Sequence, residues 1–296
     1  MWWVLATVPV EVQTLDAARE SAPRPVECRP ARSESGRSLW TNARQPSLAG
    51  YCRWLARGYS TLRKDPRTTL EAADKAAKLR PKFAAPHWLA GQALIAMGRL
   101  SDAEQRFDQG FKLEPAGPSA PAQLQDAARI AFLRGKSAPA LELYRRLVPQ
   151  ASLLSSQVRR HALFVEAALV RMSAGELDIA ANYLAEARQR RGAPGFSSFV
   201  LGALALVLDR QGRSAEAQAV AKEAGGPGVL LRQLEYLKQG KLTLLAALPH
   251  VPEAELHAMA AILAESPEQA KEQWRAYLKT APKADRWRSH GEKKAK

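Results

Sequence analysis

The stretch that decides the fold runs from residue 88 to residue 115 and reads WLAGQALIAMGRLSDAEQRFDQGFKLEP. Apolar residues recur at helical spacing on both sides of Gly98, so this glycine is predicted to end the first of two helices. Pro115 cannot continue the second helix and marks its end. Gly91 and Ala103 are small where the two helices are predicted to cross, because larger side chains would push the axes apart. The stretch therefore predicts a helical hairpin.

Further hairpins are expected, because a single hairpin cannot bury both of its faces. A small residue, a turn glycine, an alanine and a large residue recur in the same order along the chain. The starts of the repeats fall at Gly50, Ala84, Pro121, His161, Ser198 and Val251. The first and last copies match least well, and the segment 229–248 adds another helical stretch before the last copy.

The period of 34 residues with these landmarks resembles the tetratricopeptide repeat family. The resemblance implies an all-α fold, a right-handed superhelix of about six helical hairpins with degenerate end repeats, over residues 48–282. Weak end repeats are expected where a stack of hairpins needs caps. Residues 1–47 are then predicted to be a signal-like start followed by a flexible linker. Residues 283–296 are predicted to be a basic, disordered tail.

Composition and charge support a helical protein with an acidic partner. Alanine and leucine dominate the apolar residues, and the aromatic share is only 7%. The net charge of +15 favours binding to an acidic protein, a nucleic acid or an anionic membrane surface. The basic residues lie in RR at 145–146 and 159–160, in RQRR at 188–191, and in the tail. These runs are equally typical of a solvated, arginine-rich helix surface.

The N-terminus bears on the cellular compartment. MWWVLATVPV resembles the apolar region of a signal peptide, although the usual basic residues before it are missing. This favours export, and the alternative is a cytoplasmic protein whose Trp2 and Trp3 tuck against the fold. No apolar run approaches the roughly 20 residues that span a bilayer. Cys28 and Cys52 are the only cysteines and could form one disulfide in an exported protein.

The sequence offers little for catalysis or metal binding. His250, Glu253 and His257 form the nearest ligand cluster, and Glu253 and His257 share a helix face at four-residue spacing. His250 lies before Pro252 in a turn, and a metal site needs more ligands than these. No phosphate-binding glycine loop or nucleophile elbow is present. We therefore predict no metal site, no cofactor and no enzyme activity.

The family resemblance implies a partner-binding site. In tetratricopeptide repeats the first helix of each hairpin lines a concave groove, and fixed repeat positions contact the ligand. Those positions correspond here to Tyr51, Trp54, Trp88, Gln92, Ile95, Arg129, Phe132 and Arg210. Tryptophan, tyrosine and arginine are enriched at interface hot spots. If the repeat numbering were wrong by one residue, Trp54 and Trp88 would lie in the core instead. Phe132 is likewise of a type that is more often a core residue than a ligand contact.

These observations predict a bacterial-type, non-enzymatic scaffold or adaptor. Its groove would bind a peptide or helix of a partner protein, with arginines attracting acidic residues of that partner. The alternative is binding of nucleic acid or an anionic surface through the arginine-rich convex face and the basic tail. Against this alternative, aromatic residues do not interleave with the basic runs as stacking on single strands requires.

Overall fold

The computed structural model describes residues 25–28, 46–62, 64–118, 120–154, 156–189, 196–239 and 249–296. These residues form fourteen α-helices and two short 3-10 segments, with no strand among them. The apolar N-terminus lies outside the described residues. None of the described helices is long and apolar enough to cross a membrane. The predicted all-α class is confirmed.

Twelve of the helices pair into six hairpins. The pairs are α1 (Pro46–Thr61) with α2 (Pro66–Leu79), α3 (Ala85–Ala96) with α4 (Leu100–Leu113), α5 (Pro121–Leu133) with α6 (Ser137–Leu147), α7 (Gln157–Ser173) with α8 (Leu177–Arg188), α9 (Phe196–Arg210) with α10 (Ser214–Glu223), and α12 (Glu253–Ile262) with α13 (Pro267–Thr280). Helix α11 (Gly228–Lys238) precedes the last hairpin, and α14 (Arg288–Lys294) follows it. The 3-10 segments are Val26–Cys28 and Val148–Leu153. This is the predicted tetratricopeptide-like stack of about six hairpins.

Glycines make the turns of four consecutive hairpins. Gly98, Gly135, Gly175 and Gly212 have φ angles of 73°, 73°, 84° and 79°, a region in which side chains are strained. At Gly98 the peptide N–H donates to the carbonyl of Ile95 in the turn that ends α3. The prediction that Gly98 ends a helix is therefore confirmed.

Small residues in the second hairpin make room for aromatic rings. A Cβ atom at Gly91 would lie 2.8 Å from Cε2 of Phe107, and one at Gly110 would lie 2.6 Å from Cζ3 of Trp88. The Trp88 ring packs edge-on against Phe111 at 4.8 Å between centroids and is only 2% exposed. The two glycines thus leave room for the Phe107 and Trp88 rings between α3 and α4, and the interior of the hairpin is densely packed.

The first helices of the later hairpins are buried on nearly every side. Every residue of 161–170 in α7, of 199–210 in α9 and of 254–261 in α12 is buried. A helix that is enclosed all round belongs to the core. By contrast, α1 and α3 each keep several partly or fully exposed residues. Much of the surface that could face a partner in the second half of the stack is therefore covered by the chain itself.

The first and last of the described segments contribute to the folded structure. Cys28 and Cys52 form a disulfide that ties the first 3-10 segment, which lies in the predicted linker region, to α1. The Tyr51 hydroxyl donates to Oε1 of Glu27 at 2.7 Å beside this disulfide. Residues 283–296, predicted to be a disordered tail, instead contain α14, because Gly291 lets the helix approach the Tyr277 ring of α13 closely.

Candidate protein-binding surface

Polar side chains connect the first helices of neighbouring hairpins. Nε2 of Gln92 in α3 donates to Oδ2 of Asp126 in α5 at 2.8 Å, and Nη1 of Arg159 in α7 donates to Oδ1 of Asp126 at 2.9 Å. Nε of Arg129 in α5 donates to Oε1 of Glu166 in α7 at 2.9 Å. These five residues form the polar ladder. Each contact joins residues 33, 34 or 37 positions apart, about one repeat, so the ladder runs along the stack.

Glu166 is the centre of the polar ladder. Its buried carboxylate accepts hydrogen bonds from Arg129, from Nε2 of Gln125 at 3.1 Å and from the Tyr144 hydroxyl at 3.2 Å. Burial alone would raise the pKa of Glu166, but the Arg129 charge and a hydrogen bond from His250 lower it to about 2. The carboxylate is therefore charged at neutral pH and is a fixed acceptor.

A non-helical segment of the chain lies against this carboxylate. The backbone N–H of His250 donates to Oε1 of Glu166 at 2.9 Å, across 84 residues of sequence. One residue earlier, the carbonyl of Pro249 accepts a hydrogen bond from Nε2 of Gln233 in α11 at 3.1 Å. Burial, together with the Arg129 charge, lowers the pKa of His250, so its ring is neutral at physiological pH. Side chains of two helices thus bind main-chain groups of this segment.

The predicted ligand cluster is split by this arrangement. His250 faces Glu166, whereas Nδ1 of His257 lies 2.8 Å from Oε1 of Gln273 and its Nε2 lies 3.8 Å from Glu253. Among the described residues, no group of three or more His, Cys, Asp or Glu side chains could hold a metal ion. The two histidines therefore make separate contacts, His250 with Glu166 and His257 with Gln273.

The four aromatic residues among the eight predicted groove residues lie outside the polar ladder. Tyr51, Trp88 and Phe132 are buried in the core. Trp54 is half-buried beside α2, where Nζ of Lys75 lies 4.4 Å from its ring centre. Each residue advances a helix by about 100°, so a small error in the repeat frame turns a core position into an apparent groove position. For this reason the groove assignments of Tyr51, Trp88 and Phe132 are corrected, whereas that of the half-buried Trp54 stays a prediction.

The other four predicted residues have different environments. Gln92 and Arg129 belong to the polar ladder, and Ile95 is half-buried one turn after Gln92. Arg210 is buried, with Nη1 at 3.1 Å from Oε2 of Glu255 and its guanidinium carbon at 5.1 Å from the centre of the Trp287 ring. Arg129 and Arg210 are thus both paired within the chain.

The sequence interpretation missed three members of the polar ladder, Asp126, Arg159 and Glu166. They were missed because position-by-position comparison with a family considers each repeat alone. Complementary polar residues about one repeat apart are a signal that could have found them. Gln123 of α5 reaches two hairpins back, since its Nε2 donates to the Tyr59 hydroxyl of α1 at 2.9 Å across 64 residues.

Arginines of the basic runs form ion pairs on the second helices of the hairpins. Arg145 lies 2.7 Å from Glu176 of the following hairpin, and Arg188 lies 2.7 Å from Glu223. Arg146 donates to the carbonyl of Ala116. Such exposed pairs contribute little stability each, but they place an acceptor beside each cation. Residues 190 and 191 of the predicted basic run lie outside the described residues.

Comparison with known proteins gives similarity only at the level of structure. No protein-family model matches the chain. No curated protein matches it either. The crystal structure of MamA is 18% identical, with a TM-score of 0.47, and the match covers 64% of this chain and 94% of that one. YrrB, described as a TPR protein with an unusual peptide-binding site, is 14% identical with a TM-score of 0.47, over 63% of this chain and 89% of that one.

Proposed function

We propose that this chain is a non-enzymatic adaptor that binds a segment of another protein along the first helices of its hairpin stack. The observation that supports the proposal is the hydrogen bond from the His250 backbone N–H to the buried carboxylate of Glu166. Gln233 of α11 donates to the neighbouring Pro249 carbonyl. Hydrogen bonds to the main chain of a bound segment are one source of affinity in peptide recognition.

The accessible part of this surface lies on α1, on α3 and at the start of α7. Gln92 and Ile95 are half-buried on α3, and Tyr59 is half-buried on α1. The side chain of Arg159 is 26% exposed, which makes it the accessible cation of the polar ladder. Ile95 and Tyr59 would contact apolar residues of the partner, and Arg159 would attract an acidic one. A rigid surface of this kind binds with little loss of side-chain entropy.

The disulfide suggests where the protein works. Stable disulfides occur mainly in oxidising compartments, so we propose that the protein functions after export from the cytoplasm. Cells producing the full chain would be treated with a thiol-alkylating reagent before lysis. Unmodified, paired Cys28 and Cys52 support this compartment, whereas alkylation of both cysteines contradicts it.

A capture experiment with the full chain tests the proposed function. Nuclease-treated extract would be passed over wild-type protein and over the double variant Gln92→Ala, Ile95→Glu. The captured protein would then be purified and its binding measured. We expect the variant to bind at least about tenfold more weakly, the effect of losing roughly 1.4 kcal/mol of contact energy. The matched control is Gln105→Ala, an exposed change on α4 of the same hairpin.

Two outcomes contradict the proposal. If a folded double variant and wild type bind the purified partner equally, the surface around Gln92 is not the binding site. If capture is lost after nuclease treatment and depends steeply on salt, the arginine runs bind nucleic acid instead. Changing Arg145 and Arg188 would then weaken capture, although their ion pairs with Glu176 and Glu223 argue against that role.

A further inference from the structure

The C-terminal segment, residues 286–295, lies against the C-terminal ends of α7 and α9. Nε1 of Trp287 donates to the carbonyl of Met172, near the end of α7, at 3.0 Å. The guanidinium carbon of Arg210, the last residue of α9, lies 5.1 Å from the centre of the Trp287 ring. The tryptophan is therefore held by a carbonyl and a cation from two different hairpins.

Asp209 holds the same segment at a second point. Its carboxylate lies 2.7 Å from Nε2 of His290 and 2.7 Å from Nζ of Lys294. Burial would raise the pKa of Asp209, but the bonds with His290 and Lys294 lower it. Carbonyl groups at the end of a helix carry partial negative charge, which also favours basic side chains there. The end of α9 is thus an acceptor site for cations.

The anchors of the segment have the spacing of a docked helix. Trp287, His290, Gly291 and Lys294 follow the pattern i, i+3, i+4, i+7, which is typical of an amphipathic helix bound in a groove. Only Gly291 is fully buried, against the Tyr277 ring, while the other three keep exposed surface. A helix of seven residues is too short to be stable alone in water, so docking maintains it.

A cleft continues from this docking site. It has a volume of about 290 Å³ and lies between α10, α12 and α13, with Asp209, Ala217, Trp274 and Lys294 in its wall. The ring of Trp274 lies 5.9 Å from that of His290. If α14 left its site, the Asp209 carboxylate and the neighbouring Trp274 and Tyr277 rings would lose the groups that now cover them.

We propose that residues 286–295 are an intramolecular ligand that occupies a second binding site, formed by Met172, Asp209, Arg210 and Trp274. The site accepts a basic helix that carries a tryptophan and, three and seven residues later, two cationic or hydrogen-bonding side chains. A partner segment of this chemistry competes with the chain's own C-terminus. This inference rests on the proposed function, because it states how the chain's own C-terminal segment regulates partner binding and which class of partner segment the second site accepts.

A peptide with the sequence of residues 284–296, carrying a fluorophore, is the probe. Its binding to full-length wild type is compared with binding to the full-length variant Trp287→Ala, Lys294→Ala, whose own segment is weakened. We expect at least tenfold tighter binding by the variant, because the short linker after α13 gives the native segment an effective concentration of roughly millimolar. Adding Asp209→Asn to this variant should abolish the tighter peptide binding. Adding Asp178→Asn, which changes an exposed aspartate of α8, should preserve it.

Hydrogen exchange on wild type decides the question if the variant does not fold. Amides of α14 that exchange well before those of α13 support a displaceable segment, and equal protection of both helices overturns it. The proposal is also overturned if wild type and a folded variant bind the peptide equally. It is overturned as well if Asp209→Asn does not change peptide binding. Partner capture that still depends on Gln92 and Ile95 would in that case leave the proposed function standing.

Discussion

Nε of Arg129 lies 2.9 Å from Oε1 of Glu166, and both side chains are buried between α5 and α7. The pair joins the first helices of two successive hairpins, and the same carboxylate holds the His250 backbone. The stability of the stack and the shape of its candidate binding surface therefore depend on the same two residues.

Replacing Arg129 by methionine should destabilise the protein strongly. Glu166 would keep its burial but lose the arginine that pairs with it, and an uncompensated buried charge costs about 3–5 kcal/mol. The free energy of unfolding in urea measures the effect. Arg188→Met is the matched control, since its partner Glu223 is half-exposed and such pairs contribute about 1 kcal/mol or less. Equal losses for the two variants would contradict a special role for the buried pair.

Acid should destabilise the protein through Glu166. Its pKa is about 2 in the fold against 4.5 for an unperturbed glutamate, so the native state binds the proton less readily than the unfolded chain. The stabilisation is fully present above pH 4.5 and is lost as pH falls toward 2, by an amount on the order of 3 kcal/mol. Asp209, whose pKa is also lowered, acts in the same direction.

Urea unfolding at pH 6 and pH 3 measures this loss. Glu166→Gln should show a smaller decrease in unfolding free energy between the two pH values than wild type shows. Glu255 acts in the opposite direction, because burial raises its pKa against the lowering effect of Arg210. An unchanged difference in Glu166→Gln would show that other groups control the acid response.

Gly110→Ala should destabilise the second hairpin. The added methyl would lie 2.6 Å from the Trp88 ring, and overpacking of this kind costs about 1–3 kcal/mol, more than the roughly 1 kcal/mol gained from alanine's helix propensity. Thermal unfolding measures the change. Gly228→Ala serves as control, because a Cβ atom there has nothing within 4 Å. A Gly110→Ala variant as stable as Gly228→Ala would contradict the close packing of Trp88.

Cys52→Ser should loosen the N-terminal hairpin. The disulfide closes a loop with a sequence separation of 24 residues, for which chain entropy predicts roughly 3 kcal/mol of stabilisation. Thermal unfolding with and without dithiothreitol measures it. Reduction should lower the melting temperature of wild type to that of Cys52→Ser and leave the variant unchanged. A wild type that is insensitive to the reductant would contradict a stabilising disulfide.

The hairpins could be predicted from local pattern because each one carries its own signals. Gly98, Gly135, Gly175 and Gly212 recur at the turns, and their positive φ angles explain why glycine is needed there. The groove could not be predicted in the same way. The repeat numbering placed the hairpin around Trp88 correctly, but it did not determine the direction in which the Trp88 side chain points. Packing against Gly110 and Phe111 determines that direction.

The C-terminal segment was predicted wrongly for a related reason. Its basic composition is typical of a solvated tail, and only contacts far away in sequence hold it. Trp287 meets Met172 across 115 residues, and His290 and Lys294 meet Asp209 across 81 and 85 residues. No local pattern reports such contacts, because the acceptor sites exist only after the hairpins have stacked.

The sequence by itself determined the all-α class, the hairpin unit and its repetition, because helix periodicity, turn glycines and terminating prolines act within a few residues. Only the tertiary structure decided which side chains of the first helices meet, which arginines are paired and which surface the chain covers with its own segments. Stacking brings residues about one repeat apart, such as Gln92 and Asp126, within hydrogen-bonding distance. It also encloses Glu166 in a place where burial makes each of its contacts strong.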